Sequence, residues 1–168
     1  MVEPSAENAD GKDAGKAIEL VFGFVGPTGV DLDLACDVLV EQLQAVRYSS
    51  RVVKSRDIIS LSGAVPAKEC ERIEAYMDAG NELREANTDA IVALRAIGRI
   101  RAIRAEITGD PELPAARVAY IVRSLKRKEE VDLFRRVYGK AFTLISVYAT
   151  HNARVKGLEL RFKGDGMT

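Results

Sequence analysis

Residues 18–33 combine an apolar run, a glycine-containing turn and the start of an amphipathic helix. Strand, glycine turn and helix is the order that can cradle a phosphate, because backbone N–H groups of the turn and of the helix N-terminus can point at the anion. The alternative is an ordinary strand-to-helix turn. We predict six nucleotide-binding residues here, namely Gly26, Pro27, Thr28, Gly29, Val30 and Asp31.

The turn departs from the phosphate-loop motif G-x-x-x-x-G-K-[ST], in which a lysine reaches the phosphates and a hydroxyl holds Mg²⁺. With Gly26 as the first glycine, Asp31 takes the place of the second glycine. Leu32 then replaces the lysine and Asp33 replaces the hydroxyl. The two aspartates would repel phosphates at short range unless they point away or pair with an arginine.

A second group of basic residues follows another predicted strand. Arg123, Lys126 and Arg127 come directly after an apolar run at residues 119–122. Ligands of open α/β sheets bind at the carboxyl ends of the strands. We therefore expect this loop, the glycine turn and the segment after residue 149 to meet there. The alternative is a surface loop whose charge is balanced by two following glutamates, Glu129 and Glu130.

Strand patterns alternate with helix patterns, which predicts an α/β domain with a mainly parallel sheet flanked by helices. Predicted helices begin near residues 31, 69, 90 and 129, and residues 87–89 are expected to cap the third of them. The predicted strands are 18–25, 51–54, 119–122, 142–149 and a further candidate at 158–162. We predict that the polar residues 1–16 form a disordered leader, that residues 17–163 form the α/β domain and that residues 164–168 form a disordered tail.

Composition places the chain among ordinary globular domains. It has 168 residues, 47% of them hydrophobic, and a formal net charge of zero, so charge gives no reason to expect a membrane or nucleic-acid partner. The first sixteen residues lack the apolar segment of a signal peptide, and Cys36 and Cys70 match no metal spacing. We predict a cytoplasmic protein with reduced thiols. His151 and the arginines of residues 95–104 are interpreted as surface side chains.

Three separated stretches carry a family resemblance: VGPTGVDLD at 25–33, MDAGNELR at 77–84, and the segment from YIVRSLKR to VYG at 120–139. Together they resemble the N-terminal, P-loop kinase-like region of the anti-phage deoxycytidylate (dCTP) deaminases. The resemblance covers roughly residues 18–149. It implies a P-loop nucleotide-kinase-like fold, nucleotide binding and a role in antiviral defence.

The same family carries a C-terminal zinc deaminase domain with H-x-E and P-C-x-x-C segments. Here His151 is the only histidine, Asn152 and Ala153 follow it, and no C-x-x-C occurs. The resemblance therefore implies zinc only for a deaminase domain outside this chain, and no cofactor within it. It implies a nucleotide, with a deoxynucleotide as one option, and a zinc deaminase domain or subunit as partners. A homo-oligomer is a further option.

The region also resembles small nucleoside monophosphate kinases, in which an arginine at the position of Arg84 grips the acceptor phosphate. The alternative for Arg84 is a solvated helix arginine. In those kinases the third strand ends in an acidic residue for Mg²⁺, and Arg123 stands there instead. The chain therefore lacks three groups that kinases use for phosphoryl transfer, namely the lysine, the hydroxyl and the metal-binding carboxylate. The leading hypothesis is a degenerate nucleotide-binding or regulatory domain. The alternatives are an active nucleoside monophosphate kinase and an interaction module that binds a deaminase subunit or an inhibitory nucleic acid.

Overall fold

The computed structural model describes residues 18–163. The predicted leader at 1–16 and tail at 164–168 lie outside the described residues. Short 3-10 turns at Ser55–Asp57 and Gly139–Ala141 interrupt the loops. The main elements, in chain order, are β1 (Leu20–Val25), α1 (Leu32–Ala45), β2 (Ser49–Val53), α2 (Glu69–Glu85), α3 (Ile91–Thr108), β3 (Val118–Val122), α4 (Lys128–Tyr138), β4 (Phe142–Ser146) and α5 (His151–Phe162).

The four strands form one parallel sheet in the order β2-β3-β1-β4, so the predicted α/β class is confirmed. In β1, Gly23 lies opposite Val122 of β3 and Leu144 of β4. Every residue of β3 is buried, as expected for an interior parallel strand that is covered on both faces. Because all strands run the same way, the segments that follow them meet at one edge of the sheet.

Helices cover both faces of the sheet. On one face, Tyr120 packs in the same apolar cluster as Ile100 of α3 and Phe134 of α4. On the other face, Phe24 and Ile121 share a cluster with side chains of α1. Burying these side chains removes apolar surface from water and fixes the sheet between its helices. The strand ends and the loops that follow them are thereby held in place.

The last element differs from its prediction. Leu158, Leu160 and Phe162 alternate with polar residues, which suggested a strand, but they lie in α5. Thr150 begins this helix, and its hydroxyl accepts a hydrogen bond from the N–H of Ala153. No residue of α5 is fully buried. The alternation is therefore incidental, and the helix is held by contacts near the carboxyl edge of the sheet.

The start and the charge of α3 also differ from expectation. Residues 87–89 were expected to cap this helix, but its N-cap residue is Ala90, whose side chain cannot accept a hydrogen bond. Arg104 was expected to be solvated and is instead buried against Glu19, whereas Arg95, Arg99 and Arg101 are exposed. Within residues 18–163, no helix is both long and apolar enough to cross a membrane.

Candidate functional site

A cleft of about 930 Å³ opens at the carboxyl edge of the sheet, between the glycine turn, the β3–α4 loop, α2 and α5. Its volume is that of pockets that bind small ligands. The predicted convergence of the three segments is therefore found. Nine of the ten predicted site residues line the cleft, namely Gly26, Pro27, Thr28, Gly29, Val30, Arg84, Arg123, Lys126 and Arg127.

The lining of the cleft is strongly basic although the chain is neutral overall. Its described lining residues include eight lysines or arginines and two carboxylates, Asp33 and Glu69. Four of the basic residues were missed by the sequence analysis. They are Lys54, Arg56, Arg72 and Arg161. Lys54 could have been found, because it directly follows the strand β2 and the carboxyl-end rule applies to it equally.

The glycine turn is shaped by α5. Gly29 has a φ of +88°, and a Cβ atom there would lie 2.7 Å from the carbonyl oxygen of Arg154, so both backbone and space require glycine. The guanidinium of Arg154 donates to the carbonyl of Thr28 at 3.1 Å. The N–H groups of Val30 and Leu32 donate to carbonyls within the turn. Those two N–H groups are therefore not available to an anion.

Asp31, the tenth predicted residue, lies outside the cleft lining. It is the N-cap of α1, and its carboxylate accepts a hydrogen bond of 2.9 Å from the N–H of Leu34. A negative charge at this position is favourable for the helix dipole. Asp31 thus points into the helix terminus, as the sequence analysis required of an aspartate beside a phosphate site.

The β3–α4 loop is fixed across the end of β1. The N–H of Leu125 donates to the carbonyl of Phe24 at 2.9 Å, and its side chain is buried. A Cβ atom on Gly23 would lie 2.7 Å from that side chain, so the glycine provides the space that Leu125 fills. Ser124 takes a φ of 67°, a conformation that costs energy for a residue other than glycine. The flanking basic residues Arg123 and Lys126 are consequently held at the cleft.

Arg123 forms a two-point ion pair with Asp33 of α1. Its Nη1 donates to one carboxylate oxygen and its Nη2 to the other, the second bond being 3.0 Å long. Half of the Asp33 side chain is exposed, so the pair faces the cleft rather than the core. The repulsion expected between Asp33 and a phosphate is therefore offset by its own arginine.

Arg84 lines the cleft from α2, but its guanidinium is paired with a buried glutamate rather than free for a phosphate. Its side chain is buried, and its Nε and Nη2 donate to Glu130 at 3.0 and 2.6 Å. The other carboxylate oxygen of Glu130 accepts the N–H groups of Lys126 and Arg127. The solvated-arginine alternative is wrong, and Glu130 is fully buried rather than a surface counter-charge. This ion pair joins α2 to the β3–α4 loop under the cleft.

Glu69 links the two helices that form the far wall. Its carboxylate pairs with Arg72 within α2 and with Arg161 of α5, the latter at 3.5 Å. Both carboxylates of the lining are therefore engaged by arginines. Among the described residues, four basic side chains of the lining form no ion pair, and these are Lys54, Arg56, Lys126 and Arg127.

Burial lowers the pKa of Lys126, and the nearby Arg84 acts in the same direction while Glu130 opposes it. Part of the solvation of the Lys126 ammonium group is lost beside the loop, although the residue as a whole is exposed to the cleft. Lys126 and Arg127 also line a smaller cavity of about 420 Å³, which shares Gly26 and Pro27 with the cleft. An incoming anion would restore the favourable surroundings of the Lys126 charge.

An apolar patch lies on the α2 side of the same cleft. Ile73 and Tyr76 are half-buried, whereas Met77 and Val65 are more than half exposed. Exposed apolar side chains beside a set of cations give the cleft two chemically different parts. This arrangement suits a ligand that carries both an anionic group and a flat apolar group.

Side chains able to bind a metal are not clustered in the part of the chain that the structure describes. Residues 18–163 contain no group of three or more His, Cys, Asp or Glu side chains arranged to hold a metal ion. His151 is exposed at the start of α5, Cys36 is buried and Cys70 is half-buried. Burial raises the pKa of the Cys36 thiol.

Comparison with known proteins adds no assignment: the sequence matches no protein-family model and no curated protein.

Proposed function

We propose that the cleft binds a nucleotide through its phosphate groups and that the chain is a nucleotide-binding or regulatory domain without phosphoryl-transfer activity. One observation carries the proposal. Among residues 18–163, eight cationic side chains and two carboxylates line one cleft of a chain whose net charge is zero; both carboxylates are held by arginines, and Arg84 is paired with the buried Glu130. Such local concentration of one sign of charge, in low-dielectric surroundings, attracts and holds an anion.

The size and composition of the cleft favour a mononucleotide over a nucleic-acid strand. A volume of about 930 Å³ accommodates one small ligand, and the exposed apolar side chains Val65 and Met77 beside Tyr76 offer a surface for a base. Phosphates would contact the cations that have no ion pair, with Arg123 exchanging its carboxylate partner for phosphate oxygens. A guanidinium fork matches both kinds of anion.

The family resemblance supplies the biological context of the proposal. A region resembling the N-terminal part of antiviral dCTP deaminases would act with a zinc deaminase domain or subunit in the cytoplasm. A deoxynucleotide bound in the cleft would then report nucleotide levels to that partner. A parallel α/β sheet with its cleft at the carboxyl edge is compatible with this role.

The kinase alternative lacks support from the side chains in its key positions. Leu32 is buried, so neither its type nor its location provides a cation for the phosphates. Arg123 stands at the end of β3, where a kinase needs a metal-binding carboxylate. We therefore expect no transfer of phosphate from ATP to dCMP.

Titration calorimetry with dCTP, dCMP, dTTP, ATP and the uncharged nucleoside deoxycytidine tests the proposal. The expected result is one binding site per chain, with affinity increasing with the number of phosphates and falling as salt is added. Deoxycytidine is the matched control for the phosphate contribution. Absence of binding to every nucleotide at millimolar concentration, from a folded sample, would contradict the proposal and favour the interaction module.

A further inference from the structure

The carboxylates of the cleft are placed as counter-ions for arginines and not as ligands for Mg²⁺. Mg²⁺ requires oxygen ligands at about 2.0–2.1 Å in near-octahedral geometry, and proteins supply one or two free carboxylates for it. Asp33 has both oxygens engaged by the guanidinium of Arg123. Glu69 has its two oxygens engaged by Arg72 and Arg161. Each oxygen of the two carboxylates therefore already faces an arginine.

The neighbouring acidic residues also accept hydrogen bonds within the protein. Glu130 is fully buried and accepts hydrogen bonds on both oxygens, from Arg84 on one side and from the β3–α4 loop on the other. Asp31 caps α1 through the N–H of Leu34. Asp57 accepts the N–H of Lys54 at 2.7 Å. A divalent cation would therefore enter a cleft of excess positive charge in which both lining carboxylates are engaged by arginines.

From this charge arrangement we propose that the cleft takes a nucleoside di- or triphosphate in its metal-free form. This inference rests on the proposed nucleotide binding and specifies the chemical form of the ligand. A free triphosphate carries about two more negative charges than its Mg²⁺ complex, so it gains more from a set of unpaired cations. Here lysines and arginines perform the charge neutralisation that a metal ion performs in P-loop kinases.

Asp33 follows from the same account as a competitor of the ligand. Its carboxylate holds the fork of Arg123 in the two-point manner that a phosphate would use. A phosphate that binds Arg123 must displace this carboxylate or share the guanidinium with it. Removing the charge of Asp33 is therefore expected to tighten nucleotide binding, whereas removing a metal ligand would weaken it.

The test measures dCTP binding by titration calorimetry at constant ionic strength, once with EDTA and once with excess Mg²⁺. The expected result is full binding in EDTA and binding at least threefold weaker in Mg²⁺. A control sample contains KCl instead of Mg²⁺ at the same ionic strength. It distinguishes the effect of Mg²⁺ binding to the nucleotide from the effect of salt screening. Binding that appears only when Mg²⁺ is present would overturn the inference and leave the proposed function standing.

The variant Asp33→Asn gives a second readout, because the direction of its change in dCTP affinity distinguishes a competitor of the ligand from a metal ligand. The side chain is half exposed, so the variant is expected to fold. We expect it to bind dCTP in EDTA severalfold more tightly than the parent chain. Weaker binding that is confined to the Mg²⁺ arm would identify Asp33 as a metal ligand instead. No binding in either arm, by parent or variant, would instead count against both the nucleotide proposal and this inference.

Discussion

The amino and carboxyl edges of the sheet each contain a buried arginine–glutamate pair, but the charges around the two pairs differ. At the amino edge, Glu19 accepts Arg104 at 2.5 and 3.0 Å and also the N–H of Ala115. Arg104 uses its remaining nitrogen on the carbonyl of Pro111. At the carboxyl edge, Glu130 and Arg84 form an equivalent pair, above which the cleft carries further cations.

The comparison separates two uses of the same side chains. The amino-edge pair is closed, because each partner satisfies the other and backbone groups complete the set. The carboxyl-edge pair satisfies its own charges in the same way and supports a loop whose additional lysine and arginine have no ion pair among the described residues. A buried arginine therefore does not identify an anion site. The proposed anion site rests instead on the excess of cations over carboxylates in the cleft lining.

The largest expected effects come from breaking either pair. Glu19→Gln and Glu130→Gln each leave a buried guanidinium without its counter-charge, and each is expected to lower the free energy of unfolding by about 3–5 kcal/mol. Urea unfolding followed by circular dichroism measures this. The exposed Glu129→Gln is the control and is expected to stay within about 0.5 kcal/mol.

The two variants are expected to differ in nucleotide binding. Under conditions where both remain folded, Glu19→Gln keeps the affinity of the parent chain, because the pair lies at the opposite edge. Glu130→Gln changes the affinity for the nucleotide, because the N–H groups of the β3–α4 loop lose the carboxylate to which they donate. If the two variants bind the nucleotide with equal affinity, the proposed functional difference between the amino and carboxyl edges of the sheet is contradicted.

The next effect concerns a cation of the cleft. Arg123→Ala is expected to weaken dCTP binding by about 1.5–3 kcal/mol, the value of a charged hydrogen bond, while the fold persists. Arg99→Ala, on the exposed side of α3, is the control and should leave affinity unchanged. A calorimetric affinity of Arg123→Ala within twofold of the parent would place the phosphates elsewhere in the cleft.

The burial and pairing of Arg84 could not be predicted from the sequence. The sequence alone predicts that Arg84→Ala weakens binding and leaves the fold intact. Its partner Glu130 is 46 positions away and belongs to another helix, and no local pattern reveals that pairing. The pair of Arg104 and Glu19 spans 85 positions. Since Arg84→Ala would leave a fully buried carboxylate unpaired, we now expect it to destabilise the fold.

Local patterns predicted which segments meet at the carboxyl edge of the sheet. The apolar run before Gly26, the glycine turn and the basic loop after β3 follow from periodicity and from the carboxyl-end rule. The cations Arg72 and Arg161 could not be placed, because their position depends on how α2 and α5 pack at the cleft. α5 itself was misread because its apolar residues alternate, as they would in a strand.

A smaller effect distinguishes the amino edge by its pH dependence. Burial raises the pKa of Tyr138 to about 12, with Arg104 opposing the shift and Glu19 adding to it. An unfolded tyrosine ionises near pH 10, so between pH 10 and 12 the folded chain binds more protons than the unfolded chain. Stability is therefore expected to fall as pH rises through this window, by at most about 1.4 kcal/mol per pH unit.

Urea unfolding at several pH values checks the slope. Tyr138→Phe should flatten it between pH 10 and 12, whereas Tyr148→Phe, which alters a highly exposed ring, should not. If the slope persists in Tyr138→Phe, another group at this edge, such as the buried Tyr120, carries the titration.

The most direct test of the account compares two charge reversals that change the net charge equally. Arg127→Glu places a carboxylate in the cleft lining, and Arg99→Glu places one on the exposed surface of α3. Titration calorimetry of both variants with dCTP in EDTA at low salt is the measurement. The account predicts that Arg127→Glu lowers affinity at least tenfold and that Arg99→Glu stays within twofold of the parent chain. Equal affinities for the two variants would contradict a nucleotide site at the carboxyl edge.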